Sequence, residues 1–284
     1  MPGIVIHVFA SALYAALALH FWNTRWRRGP EQAAPAGLRA WERTALLAPL
    51  AIHGALLYAH FAAPGQPRFG FAFALSATLW MVVLIYWCES YFVNLQGMLP
   101  PALALAALCA PLTLWFPGLP QTITPIEFRL HLLLSIFATG VLTVALLHAL
   151  LMTVVDRALH AAADRVRLPS AGGVLAGPLA GLPPLLTLER LLFRLVWVAF
   201  GFLTLTLATG LALSQLQFGR ALRFTHETVF ALVAWATFAI LLAGRHFYGW
   251  RGRTALRWTL AGFMFVILAN IGSTFVLEVI LNRG

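Results

Sequence analysis

Long apolar runs recur from one end of this chain to the other, divided by short loops whose only fixed positive charges are arginines. A helix of about 20 apolar residues crosses a hydrocarbon core about 30 Å thick. The runs read as spans at Gly3–Phe21, Thr44–Ala63, Phe69–Phe92, Met98–Phe116, Leu130–Val154, Leu191–Leu213, Thr228–Ala243 and Leu256–Leu281. Inside lipid only helices and closed barrels satisfy their own backbone groups. No repeated alternation of about ten residues marks barrel strands. The expectation is therefore an all-α, polytopic integral membrane helix bundle of about eight transmembrane helices. With 61% hydrophobic and 10% charged residues, nothing is left over for a second core, and residues 1–284 read as a single transmembrane domain.

The arginines set the orientation. Arg25, Arg27, Arg28, Arg39 and Arg43 follow the first span, and Arg157, Arg165, Arg167 and Arg190 follow the fifth. Arg245, Arg251, Arg253 and Arg257 follow the seventh, while the opposite side holds only Arg68, Arg129, Arg220, Arg223 and Arg283. Thirteen against five is a clear positive-inside bias and places both termini outside, on the periplasmic side if the membrane is a bacterial inner (cytoplasmic) one. It also accounts for the net charge of +10, and no basic stripe interleaves with exposed aromatics, so nucleic acid is excluded as a partner. The first span carries no positive n-region or small-residue cleavage site and is expected to stay as a helix. Residues 155–190 form the one long inner loop. It ends in Pro183-Pro184 and Thr187, which is expected to N-cap the sixth span with Glu189 in its first turn.

Several chemistries fail on their own requirements. Cys88 and Cys109 form neither a CxxC nor a CxxCH motif. No glycine-rich loop ends in Lys and no HExxH is present; nor is there a GxSxG elbow. Nine histidines remain as the informative feature, since ionisable groups at membrane depth are costly and face a bundle interior or cavity. His131 opens the fifth span and heads the stripe His131, Ser135, Thr139 and Thr143. His226 precedes the seventh span on the same outer side. His53 lies near the middle of the second span and shares a face with His60. His148 falls off the stripe and is expected at the inner interface. Asn270, Thr274 and Glu278 line the eighth span, where helix–helix hydrogen bonding is the plainer role. Glu89 is expected to meet a loop arginine. Histidines at several depths in a helical bundle suit haem iron, whose axial ligands include His.

Three stretches carry a resemblance. RLHLLLSIFATGVLTVALLHALL resembles the His-led helix of the cytochrome c assembly (CcsA/CcmC-type) haem-handling membrane proteins. PPLLTLERLLFRLVWVAFGFLTLTLATGL and HETVFALVAWATFAILLAGRHFYGWRGR are similar to the YpjD-like and HemX-like branch of that family. The resemblance implies an inner-membrane protein that binds or moves haem. It makes the outer histidines His131 and His226 axial ligands to the haem iron, and His53 the counterpart of an intramembrane histidine that holds haem in transit. Its implied partners are the lipid bilayer, b-type haem held stably or in passage, and other cytochrome assembly or membrane proteins. The chain departs from the synthase and exporter members in one respect. The tryptophan-rich WWD segment is absent between spans six and seven, where only LSQLQFGRALRFTHE stands, and Glu227 follows His226. The reading is thus an accessory to cytochrome c maturation without catalysis of its own. Arg129, Arg220 and Arg223 would pair with propionates or with lipid head groups. The alternatives are a regulatory or scaffolding membrane protein without cofactor, and a b-type electron carrier. The carrier is disfavoured because only His7 and His20 have the thirteen-residue spacing and no second helix repeats it.

Overall fold

The computed structural model describes residues 2–26, 37–61, 68–92, 98–120, 126–164, 185–219 and 225–280. It is an all-α polytopic bundle. The helices are α1 (Pro2–Phe21), α2 (Ala40–Phe61), α3 (Phe71–Glu89), α4 (Leu99–Cys109), α5 (Leu112–Trp115), α6 (Ile126–Asp164), α7 (Leu185–Phe218), α8 (His226–Tyr248) and α9 (Gly252–Ile267). The last continues through a π-helical turn, Leu268–Gly272, into Ser273–Phe275 and a second π segment, Val276–Ile280. Among the described residues six helices are long and apolar enough to cross a membrane, those built on α1, α3, α6, α7, α8 and α9. The other two expected spans fall on α2, which carries Pro49, His53 and His60 inside it, and on the shorter apolar stretch Leu99–Trp115.

Two sequence expectations are corrected at the inner loop. Residues 155–164 are helical, so Asp156 and Asp164 belong to α6. Thr187 is the third residue of α7, which already runs from Leu185, and therefore does not cap it; prolines just ahead start the helix further back than a Thr cap would. Residues 165–184 and the turn Asn94–Gly97 lie outside the described residues.

In lipid the hydrophobic effect does not hold helices together, and close approach at small residues does. Gly54 of α2 leaves room for the Trp80 indole of α3, whose ring would stand 3.1 Å from a Cβ there. That proximity lets Trp80 Nε1 donate to the Leu50 carbonyl at 2.8 Å. Gly140 of α6 meets Met81 of α3, and Gly262 of α9 meets the Phe238 ring of α8. The result is two sub-bundles. α1 packs on α4 and α2, and α3 packs on α4, α2 and α6. α6 packs most extensively on α7 and also on α9, while α8 packs on α9 and α7.

Both ends of the bundle are tied. At one end β1 (Arg68–Phe69) pairs antiparallel with β2 (Leu119–Pro120). Gly118 turns the chain there at φ 78°, where a Cβ would collide with the Phe69 carbonyl carbon at 2.6 Å. At the other end three arginine–carboxylate pairs of 3.2 Å or less join helices: Arg25 to Glu42 at 2.7 Å, Arg245 to Glu189 at 2.8 Å and Arg253 to Asp156 at 3.2 Å. α8 stops there at Gly249, whose left-handed φ of 64° is open to glycine without penalty.

Candidate functional site

Between the β-hairpin ends of α6 and α8 the helices stand apart, and α7 and the first π-helical turn form the remaining walls of a cleft of about 240 Å³. α6 contributes His131, Ser135 and Ala138. α7 contributes Thr206 and Gly210 among others, α8 contributes Glu227 and Thr228, and Asn270 closes the floor. A second cleft of about 340 Å³ opens on the α3 side of α6 and shares His131, Ser135, Glu227 and Asn270 with the first. Those four residues are therefore a polar wall between the two recesses.

The wall is held by hydrogen bonds across helices. Ser135 Oγ donates to Asn270 Oδ1 at 3.2 Å, and Asn270 Nδ2 donates to Thr139 Oγ1 at 2.9 Å. Both polar stripes read from the sequence thus meet each other, and helix–helix bonding and cleft lining fall to the same residues. Asn270 sits in a π-helical turn, a device found often at functional sites.

His131 is half-buried and its Nδ1 lies 3.0 Å from Thr209 Oγ1 of α7. The Thr209 hydroxyl spends its only proton on its own helix, on the carbonyls of Leu205 at 2.9 Å and Thr206 at 3.0 Å. With that proton on its own helix the Thr209 oxygen accepts from the imidazole, the arrangement in which His131 carries its proton on Nδ1 and leaves the Nε2 lone pair free. Gly210 makes the fit possible, since a Cβ there would come within 3.1 Å of His131 Cε1. Thr206, Thr209 and Gly210 share one face of α7 at helical spacing, the signal in the sequence that could have found this partner.

The other histidines are placed differently. His226 is the first residue of α8 and exposed; the cleft lining begins at its neighbour, Glu227. Thr225 caps that helix, accepting from the Thr228 N–H at 3.3 Å. His53 is 1% exposed in the first sub-bundle, far in the chain from the clefts and lining neither. Its Nε2 meets Ser76 Oγ at 2.8 Å, its ring stands edge-on to Tyr14, and Nδ1 has no hydrogen-bond partner among the described residues. The structure thus does not gather His131, His226 and His53 at one point.

His7 and His60 stack edge-on nearby, with His7 Nε2 accepting from Thr113 Oγ1 at 3.2 Å. His148 is fully buried in the bundle: it donates through Nδ1 to the Val144 carbonyl at 2.8 Å and stacks on Tyr86. Glu89 makes no ion pair among the described residues. Arg43 instead donates to the Ser90 carbonyl and stands over the Tyr91 ring. Arg220 and Arg223 lie outside the described residues. No group of three or more metal-ligating side chains occurs among the described residues.

The chain is 30% identical to the inner membrane protein YpjD of Escherichia coli K12 over 187 residues, 64% of this chain and 65% of that protein. It thus spans just under two-thirds of that relative's length. An uncharacterized 28.8 kDa protein in the nifR3-like 5′ region of Azospirillum brasilense is 28% identical over 221 residues, 73% of this chain and 76% of that one. No solved structure matches the chain. The family model for the cytochrome c assembly protein matches residues 41–281, which takes in α2 to the end of the π-helical segments and both clefts, and the chain belongs to that family.

Proposed function

We propose that this protein is a multi-pass inner-membrane haem-binding protein, accessory to cytochrome c maturation, and that His131 is its principal haem ligand. The observation that carries the reading is the 3.0 Å contact between His131 Nδ1 and Thr209 Oγ1 at the wall of the cleft. Ligating histidines ordinarily bond their other ring nitrogen to an acceptor that fixes ring orientation and raises basicity, and Thr209 does this at Nδ1. Nε2 is left with its lone pair in a helical cleft bordered by Ser135, Glu227 and Asn270.

Bound there, haem supplies an iron whose axial positions accept imidazole nitrogen. The protein's residues bind and orient it. His226, at the exposed head of α8 beside the cleft-lining Glu227, provides the second imidazole from the rim. The apolar lining residues of α7, Leu203, Leu207 and Leu211, suit the face of a macrocycle. Arg129, in the first turn of α6 two residues before His131, suits a propionate. His53 would be the intramembrane station for haem in passage, through the Nδ1 that has no hydrogen-bond partner among the described residues. Other assembly proteins of the same membrane would deliver or take the haem.

The experiment is an absorption spectrum with a pyridine haemochrome assay on the detergent-purified protein. His131→Ala and His226→Ala each lower the haem recovered, and the double variant removes it at this face. Unchanged haem content in the double variant defeats the assignment and transfers it to His53. A wild-type protein that neither retains nor takes up haem defeats the reading as a whole.

A further inference from the structure

At the opposite end of the bundle from the haem cleft, the end of α6 and the start of α9 border a recess of about 350 Å³. Thr153, Asp156 and Arg157 line it from α6, and Arg253, Arg257 and two leucines from α9. Three guanidinium groups face one carboxylate. Asp156 Oδ2 accepts from Arg253 Nε at 3.2 Å, while Arg157 and Arg257 are exposed and meet no carboxylate among the described residues. The recess therefore has a net formal charge of +2 from its four ionisable side chains.

The helix itself sharpens the imbalance. α9 has no acidic residue in its first turn, and its N-cap, Arg251, offers no side-chain hydrogen bond to the free N–H groups. Cations at a helix N-terminus oppose the macrodipole, which favours anions there. Asp156 offsets Arg253, and Arg157 and Arg257 remain as the positive charge that an anion in the recess would neutralise. The floor of the recess is apolar: Leu256 is buried and Leu260 half-buried. Both helices pass from this recess straight into their apolar spans, Ile126–Val154 and Gly252–Phe275.

We propose that this recess binds the phosphodiester headgroup of an anionic glycerophospholipid. The phosphate sits between Arg157 and Arg257, and the acyl chains run along Leu256 and Leu260 toward the span. Basic pockets between helices at a membrane face bind such head groups, each arginine contributing on the order of 1 kcal/mol. A free phosphate would use the same arginines but would have no use for the leucine floor.

Native mass spectrometry of the full-length chain in detergent tests this, titrating phosphatidylglycerol and phosphatidylcholine separately. Wild type retains phosphatidylglycerol in preference to phosphatidylcholine. Arg157→Gln with Arg257→Gln weakens phosphatidylglycerol binding about thirtyfold, and the paired lysine variant keeps most of it. Arg190→Gln, an exposed arginine at the same end but outside the recess, leaves it unchanged. Equal retention of both lipids by wild type overturns the proposal, as does an effect of Arg190→Gln equal to that of the double variant. Displacement of phosphatidylglycerol by inorganic phosphate at comparable concentration overturns the lipid assignment in favour of a soluble phosphate ligand. The lysine pair preserves helix charge and packing, so it still decides the matter if the glutamine pair fails to fold.

Discussion

Thr209 of α7 accepts the Nδ1 proton of His131 of α6 at 3.0 Å, and this bond does two things at once. It joins the two most extensively packed helices of the bundle near the cleft, and it chooses which imidazole nitrogen remains available to a ligand. A buried polar contact of this kind contributes modestly to stability, about 0.6 kcal/mol on average between helices in a membrane. Its larger consequence is orientation.

Thr209→Val tests that consequence. Valine keeps the shape of threonine but cannot accept a hydrogen bond, so the ring loses its anchor while the α6–α7 packing stays. Haem affinity, followed by Soret titration of the purified protein, should fall about tenfold to hundredfold, and Thr209→Ser should retain most of it. Equal binding by the valine variant would show that the tautomer of His131 is irrelevant to the ligand.

Close helix contact makes a separate prediction at Gly262 of α9. A Cβ placed there would come within 2.7 Å of Phe238 Cζ, a fully buried ring of α8. Overpacking at such a site costs about 1–3 kcal/mol. Gly262→Ala should therefore unfold earlier than wild type in a thermal melt in detergent, whereas Gly201→Ala, where a Cβ meets nothing within 4 Å, should not.

The topology is tested by reporter fusions. The three helix-tying arginine–carboxylate pairs of 3.2 Å or less, Arg25–Glu42, Arg245–Glu189 and Arg253–Asp156, lie at the ends that the arginine asymmetry assigns to the inner side. Fusions at Arg28, Arg165 and Arg253 should each report the cytoplasm, with both termini periplasmic. A periplasmic signal at any two of the three would reverse the orientation.

How far the sequence carried can be judged from particular residues. The spans were legible because membrane crossing is written in length and hydropathy, and α3, α6 and α8 fall where the apolar runs lie. The stripe from His131 to Thr139 was legible from four-residue spacing, and so was its counterpart at Asn270, but not that the two stripes touch. That depends on which helices pack, a property of pairs 131 and 135 residues apart. Thr209 escaped notice because a threonine in an apolar helix ordinarily bonds back to its own backbone, as this one also does. Thr187 misled for a local reason: a good capping residue lay inside a helix already begun by the residues before it. His148 was placed by its depth along α6, whereas its burial is decided by Tyr86 stacking on it from α3.

The last prediction concerns acid stability at the C-terminal end of α1. Glu42, in the first turn of α2, gathers His20 at 2.9 Å, Arg25 at 2.7 Å and the Arg39 backbone N–H at 2.8 Å on one buried carboxylate. Burial acts to raise its pKa. The hydrogen bonds from His20 and from the Arg39 N–H, together with the charge and hydrogen bond of Arg25, outweigh it and hold the group below its ordinary value of 4.5. A carboxylate with a depressed folded-state pKa contributes stability that is fully present above the unfolded value and lost as pH falls through the folded one. The α1–α2 connection should therefore be unaffected between neutral pH and about pH 5, and weaken only on acidification below the ordinary carboxylate range. Glu42→Gln cannot lose a charge it does not carry. Its melting temperature should be lower than wild type at pH 7, and the difference should shrink as the pH is lowered through that window. Thermal melts in detergent across the range measure both curves, and a gap that stays constant down to low pH would show that the Glu42 charge does not hold this end of the bundle.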